Sequence, residues 1–266
     1  MEKNFKEVFT KKFIYRYGTI TDIKKGAFSM HTHNLYELIY FIKGDATHVI
    51  EDRKYKLSKN DLVLISPSKY HYIQIDSSKE YERFNILFSI DAFGFDKIDE
   101  FKTDVEVVNL SSNVIAKEIF EKLNFYYNNL NEKAFEEVAI LLIKELFYNL
   151  SVYKTENEKY YSTLTPILSS ALNYINDNLF TLKGIEEISE KLFITQSYLF
   201  KLFKQELKTT PKKYITDKRL LAAQNMLILG KTPTEVYCEC GYNDYTAFYR
   251  SYVKFFGYPP STEHKI

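Results

Sequence analysis

The sequence predicts an α+β multidomain protein: an antiparallel β barrel with a helical pair behind it, then an all-α C-terminal domain. Three observations predict this. The chain has 266 residues, more than one ordinary domain needs at ~100 to 200 residues each. The hydrophobic pattern is strand-like up to about residue 90 and helical afterwards. A polar stretch without a period, residues 154–165, separates two helical regions and reads as a linker.

The strand-like runs are Phe13 to Tyr17, Tyr36 to Lys43, Thr47 to Ile50, Asp61 to Ser66, Tyr70 to Ile75 and Arg83 to Phe88. Short runs at this spacing, with turn chemistry at Lys43-Gly44-Asp45 and Ser58-Lys59-Asn60, mark an antiparallel sandwich or barrel over residues 1–110. Residues 111–153 form a helical pair, because Ile115, Ile119 and Leu123, then Phe135, Val138, Leu142 and Leu146, recur at helical steps. From 166 to 266 every segment is helical: one helix from Pro166, then Leu182 to Leu192, Gln196 to Leu207, Pro211 to Leu229, Pro233 to Cys240 and Asp244 to Phe255. Three of these begin at proline, which the first helical turn tolerates.

Lys plus Arg is 36, Asp plus Glu is 35 and 45% of residues are hydrophobic, which excludes a charge-driven disordered chain. The N-terminal residues lack the apolar core of a signal peptide, and no run reaches ~18 apolar residues. A cytoplasmic protein with no membrane partner is expected. The two cysteines, Cys238 and Cys240, are expected as small buried side chains rather than a redox pair.

Two segments of the C-terminal region read as helix, tight turn, helix: Ile185 to Lys204 and Thr234 to Lys254. Thr195 caps the second helix of the first unit, and Asn243 or Asp244 that of the second, while Gly241 supplies a permissive turn. In the first unit Tyr198, Leu199, Leu202 and Phe203 form the apolar side. Tyr198-Leu199, Phe203-Lys204, Pro211, Arg219-Leu220, Ala223, Glu235-Val236, Gly241-Tyr242, Phe248, Arg250, Gly257 and Pro260, in this order and at these spacings, resemble the DNA-binding domain of the AraC family of bacterial transcription regulators. The resemblance implies two helix-turn-helix units joined by the helix Lys212 to Leu229. At ~1.5 Å per residue that connector is about 27 Å long, suited to two major grooves about 34 Å apart.

Carried over by position, the DNA-facing residues are Gln196, Ser197, Phe200, Lys201 and Lys204 in the first unit and Tyr245, Thr246, Tyr249 and Arg250 in the second. Arg250 either reads a guanine or holds a phosphate. One departure from the family is Tyr237, where a small residue is usual, so the second unit is expected to be distorted. Between Lys201 and Arg219 seven basic residues face two acidic ones, a net of +5, whereas residues 232–266 carry three basic and four acidic ones, a net of −1. Since phosphate neutralisation dominates affinity, the first unit is expected to anchor binding.

In the N-terminal region His31-Thr32-His33-Asn34-Leu35-Tyr36-Glu37, with Gly44 seven positions beyond the glutamate, is similar to the first cupin motif. Residues Asn60 to His71 resemble the second, with Asn60 and Lys69 where glycines are usual. His31, His33 and Glu37 share parity along an extended strand, and His71 enters from a neighbouring strand. These four are the expected effector-binding residues. They are also a reasonable divalent-metal set, though no cofactor is required. His48 has the opposite parity and is expected to face away.

The expectation is a ligand-responsive transcription regulator, not an enzyme, with promoter DNA, a small-molecule effector and RNA polymerase as partners and a homodimer as its assembly. The resemblance favours activation and a sugar effector. Two alternatives stay open: a cupin metalloenzyme built on His31, His33, Glu37 and His71, and a regulator that needs no effector.

Overall fold

The computed structural model describes residues 3–10, 12–20, 26–27, 30–89, 106–152 and 162–263, so the linker residues 154–161 lie outside the described residues. The chain divides into two compact units, one drawn from most of residues 1–162 and one built on 163–266.

The first unit contains β1 (Lys3–Phe9), β2 (Phe13–Ile20), β3 (Gly26–Ala27), β4 (Tyr36–Lys43), β5 (Ala46–Ile50), β6 (Arg53–Lys56), β7 (Asp61–Ile65), β8 (His71–Ile75), β9 (Tyr81–Phe88) and β10 (Val107–Asn109). The helices α1 (Val114–Asn129) and α2 (Glu132–Val152) follow, then the short β11 (Ser162–Thr163). The strands form a six-stranded sheet, β1-β2-β9-β4-β7-β10, and a five-stranded sheet, β11-β6-β5-β8-β3.

Strand alternation decides what lies between the sheets. On β4, Ile39 and Phe41 point inward and meet Val63, Ile65, Ile73, Ile75 and Tyr81 in a core shared by both sheets. Leu38 and Tyr40 point the other way, with Tyr15, Phe84, Ile86 and Phe88, and bury against Ile119, Phe120, Leu123, Phe135, Ile143 and Phe147 of α1 and α2. Burying each such side chain contributes ~1.5 to 3 kcal/mol, so the helical pair is an integral layer of this unit. Ile115, placed by period in the α1 stripe, is 49% exposed, because the side of the helix turned to the sheet runs through Ala116, Ile119, Phe120 and Leu123 and Ile115 lies off it.

The second unit contains α3 (Pro166–Asp177), α4 (Ile185–Lys191), α5 (Gln196–Glu206), α6 (Pro211–Ile228), α7 (Pro233–Glu239), α8 (Tyr245–Phe256) and a 3-10 turn at Pro260–Thr262. Side-chain caps set the helix starts. Thr195 accepts from Tyr198 N–H at 3.2 Å, Thr210 from Lys213 N–H at 3.2 Å and Asp244 from Ala247 N–H at 2.7 Å. Each satisfies an N–H that the helix itself leaves unpaired. Gly257, in the left-handed region at φ 85°, ends α8.

Arg219 of α6 ties this unit together. Its guanidinium donates to the carbonyls of Leu179, Leu182 and Gly241 at 2.8, 2.7 and 2.8 Å. Of the cysteines only Cys240 is buried; Cys238 is exposed on the outer side of α7, against expectation. Burial pushes the Cys240 thiol up to about 11.

Candidate functional site

Glu37 leaves the inner side of β4 and is buried. His71 is buried at the start of β8, which belongs to the other sheet, so it faces Glu37 across the barrel rather than from a neighbouring strand. Glu37 Oε2 lies 2.7 Å from His71 Nε2. The Asn85 side-chain amide donates to the same carboxylate. His71 Nδ1 stands 2.9 Å from the Lys69 carbonyl, and because a carbonyl only accepts, that nitrogen donates to it while Nε2 is the one turned to Glu37. A buried carboxylate is tolerable only when satisfied in this way.

His31 and His33 are not on a strand with Glu37. The chain bends at Asn34-Leu35 before β4 begins at Tyr36, so the parity argument does not apply to them. They nevertheless come to the same place: His31, His33, Glu37 and His71 each offer one ligand atom, all within 4.8 Å of one another. His31 is exposed, His33 half-buried and the other two buried.

Sequence reasoning missed further polar residues of this interior. His48 is 2% exposed, and its ring centroid lies 6.1 Å from that of His71. It sits on β5, beyond the turn at Gly44, and parity counted along β4 cannot be carried across a turn. Tyr81, Arg83 and Asn85 alternate with the outward Phe84 on β9, and that alternation was the available signal. Burial pushes the Tyr81 hydroxyl up to about 12, with the Arg83 guanidinium opposing the rise and Glu37 adding to it. Tyr81 therefore stays a neutral hydroxyl at any physiological pH.

In the second unit, α4 and α5 form one helix-turn-helix, and α7 and α8 the other. Leu199, Leu202 and Phe203 bury one side of α5, but Tyr198 is 39% exposed and does not belong to that side. Gln196, Ser197, Lys201 and Lys204 are exposed and Phe200 is half-buried. On α8, Phe248 and Tyr252 are buried, while Thr246, Tyr249 and Arg250 are exposed and Tyr245 is half-buried. The Tyr237 ring packs edge-on against Tyr245, centroids 5.7 Å apart. The turn between α7 and α8 keeps the hydrogen bonds of the turn between α4 and α5, so the bulk of Tyr237 is absorbed without loss of the motif.

A family profile described as an AraC-like ligand binding domain matches residues 14–150, and one described as a helix-turn-helix domain matches residues 188–265. The chain belongs to the AraC family. AraC-family proteins are DNA-binding transcription regulators, and the fold class expected from the sequence is that of the family. Among its relatives are a lactose operon transcription activator of Staphylococcus xylosus, 31% identical over 123 residues, which are 44% of each chain, and the probable transcriptional regulator LumQ of Photobacterium leiognathi, 24% identical over 87% of this chain and 90% of that one. The chain thus spans less than half the length of the lactose relative it matches. Among solved structures, the C-terminal domain of AraT, a response regulator from Geobacillus stearothermophilus, is 26% identical over 40% of this chain and 91% of that one, with a TM-score of 0.38. No described helix of this AraC-family chain is long and apolar enough to cross a membrane.

Proposed function

We propose that this AraC-family protein is a non-enzymatic regulator of promoter activity in the cytoplasm, switched by a small molecule held in its barrel. The observation that carries the reading is the pair of helix-turn-helix units in one helical domain, each with a capped second helix presenting an exposed polar side. Gln196, Ser197, Phe200, Lys201 and Lys204 contact DNA from α5, and Tyr245, Thr246, Tyr249 and Arg250 from α8. The effector is bound through His31, His33, Glu37 and His71, whose mixture of donors and acceptors suits a hydroxylated ligand. The name of the lactose relative supports a sugar and supports activation. A homodimer is supported by α2, whose Leu141, Tyr148 and Val152 are 66%, 62% and 78% exposed along one stripe. Boundaries at 110, 153 and 165 then separate sensor, dimerisation pair, linker and DNA-binding domain.

Genome-wide recovery of DNA bound to the protein in its host tests the reading. Enriched fragments upstream of a few genes, released or retained according to a sugar in the medium, are the expected result. Uniform recovery of the genome would overturn it.

One observation favours a second reading of the barrel. His71 Nδ1 donates to a backbone carbonyl, which fixes the ring with Nε2 aimed at the Glu37 carboxylate and grouped with the ligand atoms of His31 and His33, the orientation a metal-binding histidine requires. His31, His33, Glu37 and His71 would then hold a divalent transition metal, which would supply open positions for a chelating ligand. Elemental analysis of wild type and His71→Ala decides between them: one equivalent of metal in the first and none in the second supports a metal, and none in either refutes it.

A further inference from the structure

The six-stranded sheet carries a hollow on the side away from the barrel interior. On β4, Tyr40 and Ile42 alternate with the inward Ile39 and Phe41. Phe84 of β9 pairs with Tyr40 and with Tyr17 of β2, so all of these leave the outward side. Between them and α1 lies a space of about 400 Å³, lined also by Lys59, Asn60, Lys117, Phe120, Glu121 and Asn124. Glu37 leaves the opposite side of β4, and the hollow shares no residue with the group of His31, His33, Glu37 and His71. A cavity of this size, largely aromatic with a few polar groups, has the composition of a small-molecule site.

Asn60 gives the hollow its polar end. It stands where the second cupin motif usually has glycine, and its φ of 69° lies in the left-handed region that favours glycine. Asparagine tolerates this conformation and adds a side chain that glycine lacks. Its Oδ1 accepts from the Tyr40 hydroxyl at 2.9 Å. Burial, helped by Glu121, pushes that hydroxyl up to about 12, so it remains a neutral donor. With its oxygen engaged, Asn60 has its amide N–H groups left for an occupant. Asn124 is set in the same way, because its Oδ1 accepts from Asn128 Nδ2 at 3.2 Å.

Charge and shape together indicate the occupant. Among the described residues no ion pair engages Lys59, Lys117 or Glu121, and Lys117 donates only to the Ser111 carbonyl, at 3.0 Å. Two ammonium groups against one carboxylate leave a net of +1 at the hollow, which attracts one negative charge and opposes a second. The wall is a continuous run of rings. Tyr17 stacks on Phe84 with centroids 4.6 Å apart and Tyr40 on Phe120 at 4.1 Å, while Phe84 stands 5.4 Å from Phe120. A flat aromatic ring meets such a wall edge-on or in offset stacking. A sugar is the poorer occupant, since its hydroxyls need acceptors and the lining is rich in donors. We infer that this hollow is a second ligand site, outside the barrel, for a small aromatic carboxylate. The ring lies against Tyr40, Phe84 and Phe120, and the carboxylate is held by Lys59, Lys117 and the Asn60 amide.

The probe is para-fluorobenzoate, followed by broadening of its fluorine NMR line as full-length protein is added without DNA. Wild type is expected to bind it saturably and to leave para-fluorobenzyl alcohol, which has the ring without the charge, unbound. Cyclohexanecarboxylate, with the charge but no aromatic ring, is expected to displace the probe about tenfold less well than benzoate does. Lys59→Gln with Lys117→Gln is expected to weaken binding about tenfold or more, for the loss of two charge-assisted hydrogen bonds, at an unchanged melting temperature. Asn60→Gly, which the left-handed turn accepts, is expected to weaken it severalfold, and it decides alone if the double variant melts lower. His71→Ala, inside the barrel, is expected to bind the probe as wild type does. No saturable binding to wild type, equal binding of the alcohol, equal displacement by cyclohexanecarboxylate, or undiminished binding in the folded variants overturns the proposal. Loss of binding in His71→Ala alone places the probe in the barrel and overturns it as well. Each of these outcomes leaves the regulator reading intact, because none of them involves DNA.

Discussion

Arg219 belongs by sequence to a run of seven basic residues between Lys201 and Arg219, and counting charges assigns it to DNA. Its guanidinium instead satisfies three backbone carbonyls from the α3–α4 connection and the second turn. Lys213 is likewise paired, with the buried Asp217. A sequence gives the number of charges but not which of them are already engaged, so fewer than seven basic groups of this run are left to meet phosphate although its net charge is unchanged. Lysine cannot reproduce the three-pronged contact. Arg219→Lys should therefore lower the unfolding free energy of the C-terminal domain by ~2 to 4 kcal/mol, at ~1.5 to 3 kcal/mol for each hydrogen bond from a charged donor. Urea unfolding followed by helical signal measures this, and an unchanged midpoint would contradict it. The barrel shows the same limit on reading a site from sequence. His31, His33, Glu37 and His71 were legible because their spacing is distinctive; Arg83 and Asn85 carried only the alternation along β9 as a signal, and His48 carries meaning only once the strand pairing is known.

At the level of elements, helix starts in the C-terminal domain were legible to within a residue where Thr195, Thr210 and Asp244 cap them or Pro166, Pro211 and Pro233 open them, whereas α4, expected from Leu182, begins three residues later at Ile185, behind Gly184 and without a side-chain cap. Strands were legible where the alternation was long, as in β4 and β9. β6 was not, because Arg53-Lys54-Tyr55-Lys56 holds one buried apolar residue among three charges. Nor was β1, whose Lys3, Lys6 and Glu7 interrupt the apolar positions; it is defined by pairing along β2. The exposed stripe of α2 carries a prediction at this scale. Leu141 is 66% exposed, so Leu141→Glu should leave the fold intact and convert a dimer to a monomer in sedimentation at micromolar concentration. A dimer that survives the substitution would place the interface elsewhere. Asp244→Ala should remove the α8 cap and cost ~1 kcal/mol, seen as a lower melting temperature of the C-terminal domain; an unchanged melting temperature would show that the cap contributes nothing.

On the scale of the whole molecule, the account rests on two helix-turn-helix units sharing one rigid connector. The 18 residues of α6 span about 27 Å at ~1.5 Å each, comparable to the ~34 Å of one helical turn of DNA. The most direct measurement is hydroxyl-radical footprinting of the purified protein on a recovered promoter fragment. The account predicts protection of two patches about one helical turn apart on one face of the duplex, lost at both patches in Lys201→Ala and at the second alone in Arg250→Ala. Uniform protection along the fragment, insensitive to both substitutions, would contradict it.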